Sequence, residues 1–310
     1  MTQTSPDASG LMALFRATNG SSWERRRGWG TASSHCTWEG VTCLTGTQQV
    51  LWLDLTDNNL DGVMTPLLWE DLTIGPVDRI DLSKNPRLRG VTVTPSFTGR
   101  TLQRARGLML GDTALSGSIP SELATMSSLY ALDFNDSPMR GALTDAMFDA
   151  WKSTLVTLSI AESAVSGTLP SFERISSMER LEQINTADTL VSGTIPHWLG
   201  ASPLRRIEMD EMRLSGTLPP MLTRSDMLDH IEVDQNRISG TIPASLGMSG
   251  ASELKRLQLG KQPISGTIPS QLGELREIRK VILHYSSLSG TLPLSMFNQR
   301  TATLTELVIG

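Results

Sequence analysis

The phrases "LSGSIP" at 115–120, "VSGTLP" at 165–170, "VSGTIP" at 191–196 and "LSGTLP" at 214–219 are near copies at similar spacing. Text that recurs in this way constrains the fold more than any single motif, because it demands one unit stacked many times. The glycines Gly62, Gly90, Gly117, Gly141, Gly167, Gly193, Gly216, Gly240, Gly266 and Gly290 lie 23–28 residues apart and define ten units. Upstream of each glycine, apolar residues alternate, as in "LWLDL", "LMLGD" and "IEVDQ". Period-2 alternation over three to five positions predicts a short strand with one buried face. One strand per unit, laid in parallel, is a solenoid. Because each unit of such an array touches only its neighbours, the length of 310 residues says little about domain number. Residues 1–49 do not repeat and are expected to cap the array. Residues 50–310 are expected to form ten full repeats and a partial eleventh, "LTELVIG". That last strand would leave a bare edge, which predicts a continuation or cap after it.

Each unit has a readable local chemistry. Asn58, Asn85 and Asn236 follow a strand, where a carboxamide satisfies backbone groups that no ladder partner reaches. Thr113, Ser137, Ser163, Thr189 and Ser286 hold the same position with a weaker hydroxyl, whereas Met212 and Gln262 have no evident role there. The glycine permits positive φ or close backbone approach, and the proline fixes an extended turn without an N–H to donate. The six-residue phrase is therefore expected to be a corner.

The non-repeating start places Leu11, Leu14 and Phe15 on one helical face, with Asp7 as the expected N-cap. Trp23 and Trp29 follow, and then "CTWEGVTC", a C-x-W-x-G-V-x-C box. This order of helix, tryptophans and box resembles the N-terminal cap of leucine-rich-repeat ectodomains in plant receptor kinases and polygalacturonase-inhibiting proteins, with Cys36, Trp38, Gly40, Val41 and Cys43 in family positions. The repeat L-x-L-x-x-N-x-L-x-G-x-I-P resembles the plant-type leucine-rich repeat over residues 50–310. The resemblance implies an α/β solenoid: a right-handed leucine-rich-repeat superhelix with a parallel concave β-sheet and an N-terminal helical, disulfide-bonded cap. The "SGTLP" and "SGTIP" phrases are also similar, more loosely, to repeats of trypanosomatid surface antigens. Cys36 and Cys43 are the only cysteines. A disulfide between them, worth about 2 kcal/mol in the chain-entropy model, a reduced buried pair and metal ligation are the alternatives. Two cysteines are too few for a structural zinc site, and no histidine stands at a matching spacing. A disulfide implies an oxidising compartment, so the protein is expected outside the cell or on its surface. Asn19 in "NGS" and Asn135 in "NDS" are possible glycosylation acceptors consistent with secretion.

A hydrophobic content of 39% with 19% charged residues is that of a globular chain. The net charge of −5 supplies no basic field for nucleic acid. No apolar run of 18 residues exists, and the start of the sequence lacks the basic and apolar regions of a signal peptide. Membrane attachment would need a segment absent from this sequence. The four histidines, His35, His197, His230 and His284, do not pair at ligand spacing, and no nucleophile elbow, P-loop or dinucleotide fingerprint occurs. The chain is expected to be no enzyme and to carry no cofactor or metal.

The candidate functional surface is the face of the predicted sheet. At the last outward position of each strand the units carry Asp57, Lys84, Asp112, Asp136, Glu162, Asp188, Glu211, Gln235, Lys261 and Tyr285. Five consecutive acids, Asp112 to Glu211, would then stand ~4.8 Å apart. Their mutual repulsion is about 3 kcal/mol before screening, which a basic ligand would offset. Asp54, Asp81, Asp133, Glu208, Asp210, Glu232 and Asp234 extend the acidic field, and His284 and Tyr285 close it with aromatic character. The competing readings are a solvated charge ladder, with Arg79 before Asp81, Arg206 before Glu208 and Arg256 and Lys280 in the same column, and binding of a cation by the carboxylates. The expected function is recognition of a protein, peptide or glycan, with a basic ligand among the candidates. A secreted inhibitor of a hydrolase and a structural surface-coat protein are the alternatives.

Overall fold

The computed structural model describes residues 6–72, 77–91, 105–171, 175–222, 225–247, 253–297 and 303–310. They form two compact units, the first comprising Met1–Ala142 with Glu162–Val165 and the second Leu143–Ala161 with Ser166–Gly310.

The first unit opens with helix α1 (Pro6–Ala17), which buries Leu11 and Leu14 completely. Asp7 is not the residue that precedes this helix. It lies within the first turn, and its Oδ2 accepts the backbone N–H of Val50 at 3.0 Å. The carboxylate thus ties the helix to the first residue of a strand, a long-range bond that local sequence does not report. Phe15, Trp23, Trp29 and Trp38 pack in a chain of rings with successive centroids 5.0, 4.9 and 4.9 Å apart. Each indole N–H reaches a backbone carbonyl, on Thr18, Glu39 and Ser33, so the aromatic area is buried without orphaned donors. Cys36 and Cys43 are disulfide-bonded with Cα atoms 5.4 Å apart, which settles the three alternatives in favour of the bridge. The second cysteine ends strand β1 (Val41–Cys43), which pairs antiparallel with β2 (Val50–Asp54). Gly40 has a φ of +81°, and the Asp54 N–H donates to its carbonyl at 2.8 Å. A side chain there would meet the Asp54 carbonyl, which explains the glycine of the cysteine box.

From β2 onward the strands run parallel. In the first unit β2 is followed by Arg79–Asp81, Gly107–Met109 and Ala131–Asp133. Leu53, Ile80, Leu108 and Leu132 are in register and buried, each contributing about 2 kcal/mol of burial. The second unit continues the pattern with Thr157–Ser159, Gln183–Asn185, Arg206–Glu208, His230–Glu232, Arg256–Gln258, Lys280–Ile282 and Glu306–Val308. Its core is filled by the central residues Leu158 to Val281 and by Phe148, Trp151 and Trp198, all buried. The predicted alternation is therefore the observed one.

The glycine phrase departs from the expectation. It is not only a corner: its first half builds a second parallel ladder in each unit. In the second unit this ladder includes Leu190–Thr194, Arg213–Thr217, Arg237–Thr241 and Ile264–Gly266. The hydroxyls of Ser215, Ser239 and Ser265 donate to the carbonyls of Gly193, Gly216 and Gly240, one repeat earlier, at 3.2–3.3 Å. A Cβ placed on Gly216 or Gly240 would lie 3.0 Å from the methyl of Thr194 or Thr217, and both glycines have positive φ. Serine, glycine and threonine thus form a lock in which each residue meets the preceding repeat. The proline then behaves as expected: Pro120, Pro196 and Pro269 are extended and precede short 3-10 turns.

Asparagine acts as predicted. Asn236 Nδ2 donates to the carbonyls of Met209, Val233 and Asp234, while Oδ1 accepts from Leu214 N–H at 3.0 Å. Thr113, Ser137, Thr189 and Ser286 each donate one hydroxyl bond to a carbonyl three residues back. Gln262 is also explained: its longer side chain reaches Val233 O and Leu259 O, both at 3.0 Å. Met212 accepts the Thr186 hydroxyl on sulfur at 3.4 Å.

Candidate functional site

The outward residues of the first ladder form two kinds of position, and the sequence reading merged them. Asp133, Glu208 and Glu232 are each the last residue of a strand. The ten residues read as the last outward strand position lie beyond the strands. Asp57, Lys84, Asp112, Asp136, Glu162, Asp188, Glu211, Gln235, Lys261 and Tyr285 all have φ between 46° and 57°. A non-glycine residue in this left-handed region costs about 1 kcal/mol or more. Neighbouring repeats hold it there by hydrogen bonds. The N–H of Asp188 donates to Asp210 O at 3.0 Å, that of Glu211 to Asp234 O at 3.1 Å and that of Lys261 to His284 O at 2.7 Å. The supposed strand column is therefore a row of left-handed turns that keeps the backbone ladder running. Aspartate tolerates this conformation better than most residues, and Asp57, Asp112, Asp136 and Asp188 were the available signal.

The two positions also differ in charge balance. On the strands the acids are paired: Arg206 with Glu208 at 3.7 Å, Arg256 with Glu232 at 2.9 Å, and Arg79 with Asp81 at 2.9 Å. Gln258 Nε2 donates a further bond to Glu232 at 2.7 Å. This is the charge ladder of the competing readings. At the turns, no cation pairs with Asp188, Asp210, Glu211 or Asp234 among the described residues; Glu211 accepts only a neutral donor, Gln235 Nε2, at 2.6 Å. Asp112, Asp136 and Glu162 fall in the first unit, and Asp188, Asp210, Glu211 and Asp234 in the second.

The electrostatics follow from burial first and from neighbouring carboxylates second. Burial, reinforced by the carboxylates of Asp234, Glu232 and Glu211, pushes Asp210 up to about 6. Burial also raises Glu208, against the opposing pull of Arg206, and raises Asp133, against the hydrogen bond from Asn135 N–H. Burial, then the neighbouring Asp136, raises Asp112. Because the folded state binds the Asp210 proton more tightly than the unfolded chain, its contribution to stability is full below the unfolded value of 3.8 and is lost as pH rises through about 6. The melting temperature of Asp210→Asn is therefore expected to exceed that of wild type at pH 7.5 by the equivalent of about 1 kcal/mol, after discounting for solvent screening of a half-exposed group. The gap should narrow as pH falls below about 6 and close below the unfolded value of 3.8. A gap independent of pH would show that the carboxylate is not responsible.

Further along the same row His284 and Tyr285 pack edge to face at 5.1 Å, with Tyr285 75% exposed. His284 Nδ1 is buried and unbonded. Of the two sequon asparagines, Asn19 is exposed in a left-handed turn, whereas Asn135 is half-buried beside Asp133 and its Oδ1 has no partner. Sequence reasoning missed one group of chemical interest: His35, buried against Trp38, has Nε2 3.7 Å from Cys36 Sγ.

Cap, parallel ladder and asparagine turns together give the fold: a leucine-rich-repeat solenoid whose N-terminal cap is similar to those of plant leucine-rich-repeat ectodomains. Residues 4–44 match the family described as "Leucine rich repeat N-terminal domain". The chain is 33% identical over 104 residues to the LRR receptor-like serine/threonine-protein kinase GSO2 of Arabidopsis thaliana, a match covering 33% of this chain and 8% of that receptor. Among solved structures it resembles the LRR ectodomain of the plant membrane receptor kinase GASSHO1/SCHENGEN3 of Arabidopsis thaliana, with 25% identity and a TM-score of 0.81. That likeness covers 98% of this chain and 35% of that one. It also shares its fold with a plant ice-binding protein, at 19% identity and a TM-score of 0.77 over 98% of this chain and 95% of the other. None of these likenesses bears on the trypanosomatid resemblance. No helix among the described residues is long and apolar enough to cross a membrane.

Proposed function

We propose that the chain is an extracellular or cell-surface recognition module that binds a basic peptide segment along the turns of the first ladder in its second unit. The observation that carries this reading is the unpaired charge of Asp188, Asp210, Glu211 and Asp234, set beside strand acids that already have partners. A cation arriving there neutralises charges that repel one another. It displaces no existing ion pair among the described residues. Support of a coarser kind comes from the receptor relatives, one of them solved in complex with CASPARIAN STRIP INTEGRITY FACTOR 2. Binding a larger protein or a glycan, inhibiting a hydrolase and building a surface coat would not depend on this row of charge in the same way.

Charge reversal at the turns is an unusually clean test, because Lys84 and Lys261 already occupy the equivalent left-handed position. Asp188→Lys with Glu211→Lys should therefore preserve the backbone while weakening a lysine-rich peptide at least tenfold, and the wild-type affinity should fall steeply with salt. Unchanged affinity in the double variant, at low salt and by calorimetry, would remove the turns from the docking surface.

A further inference from the structure

The cap contains a second constellation that the recognition reading does not use. His35, Cys36 and Cys43 bring one imidazole nitrogen and two sulfurs within 4.8 Å of one another. His35 is 4% exposed, and Trp38 closes one side of it edge-on at 6.2 Å between ring centroids. Its Nε2 lies 2.9 Å from Gln48 O and 3.7 Å from Cys36 Sγ. The side chain of Gln48 returns to the same place, with Oε1 3.7 Å from Cys36 Sγ. A nitrogen and two sulfurs therefore meet in one small volume against the Trp38 ring, and the Gln48 amide oxygen, which also accepts from Ser34 Oγ at 3.0 Å, lies beside Cys36.

While the two sulfurs are bonded to each other they are poor ligands, because metals of this kind take thiolates. Both cysteines are nevertheless half-exposed, so a small reductant can reach the bond. We propose that reduction of the Cys36–Cys43 disulfide converts the cap into a binding site for a zinc-class divalent cation, ligated by both cysteine sulfurs and the His35 imidazole. A dithiol reductant gives two electrons and two protons to the bridge and becomes a cyclic disulfide. The S–S bond breaks to leave two thiols, and the arriving cation displaces their protons to solvent. His35 Nε2 exchanges its bond to Gln48 O for the ion, and the Gln48 amide oxygen or a water takes the fourth tetrahedral position. Two thiolates on one tetrahedral zinc stand about 3.8 Å apart, given zinc–sulfur bonds near 2.3 Å. The Cα atoms, already 5.4 Å apart, need move little. The histidine adjoins Cys36 in the chain, so a search for ligand spacing passes over it; the fold turns its ring back onto the sulfur.

The test uses the whole chain in two redox states. After anaerobic reduction by a dithiol and its removal, Co2+ titration should give thiolate-to-cobalt charge-transfer absorption that saturates at one equivalent and is bleached by Zn2+. The oxidised chain should give none. His35→Gln should lower the cobalt affinity at least tenfold while keeping the far-ultraviolet circular dichroism of wild type. Absence of the band in the reduced chain would overturn the proposal, as would equal affinity in His35→Gln. The comparison of redox states needs no variant, so it stands even if that substitution misfolds.

Discussion

Asn85→Ala is expected to lower the stability of the chain by about 3–5 kcal/mol, a large effect for a single turn residue. The side chain is fully buried. Its Nδ2 donates to the carbonyls of Leu55 and Leu82, both at 2.9 Å, and of Ser83 at 3.0 Å. Its Oδ1 accepts from Asn58 N–H at 3.1 Å and Leu60 N–H at 2.9 Å. Alanine leaves these groups in a space where water cannot replace the amide, and an unsatisfied buried donor or acceptor costs more than the bond it formed. Thr113→Ala, at the equivalent turn of the next repeat, loses the hydroxyl's bond to Leu110 O at 2.7 Å and should cost about 1 kcal/mol. Urea unfolding of both variants measures the difference. If Asn85→Ala lay within about 1 kcal/mol of wild type, the carboxamide would not be what holds adjacent repeats together at this turn.

Gly200→Ala should be comparably severe for a different reason. Gly200 sits in the 3-10 turn His197–Ala201, and a Cβ there would lie 1.7 Å from Met221 O in the next repeat. The obstacle is backbone, so no rotamer relieves it, and overpacking of this kind costs about 3 kcal/mol or more. Gly30 provides the comparison. Nothing lies within 4 Å of its would-be Cβ, and its φ of +72° alone penalises alanine, by about 1 kcal/mol. Similar melting temperatures for the two variants would mean that the turns of successive repeats do not stack as closely as described.

Much of the fold is readable in the sequence, and the parts that are not have identifiable causes. Alternation in "LWLDL" and its counterparts reports which strand residues are buried, because side chains on a strand alternate faces whatever the next segment of chain does. The same alternation says nothing of where the strand stops. Asp188 and Glu211 continue the in-and-out pattern, yet their φ has changed sign, and only the aspartate preference hints at it. The serine of "SGT" bonds a carbonyl one repeat earlier, a contact between distant residues that a phrase of Gly and Pro disguises as a turn. Gln262 shows the converse. Its Nε2 donates as Nδ2 of Asn236 does, although its Oε1 has no partner, and its extra methylene hides the shared half of the role until the carbonyls it reaches are known.

Carbodiimide footprinting of carboxylates, with and without a saturating lysine-rich peptide, tests the recognition account most directly. The account predicts that Asp188, Asp210, Glu211 and Asp234 lose reactivity together when the peptide is bound, while exposed Asp226 keeps its own. Unaltered reactivity at those four carboxylates under a bound peptide would place the ligand elsewhere and contradict it.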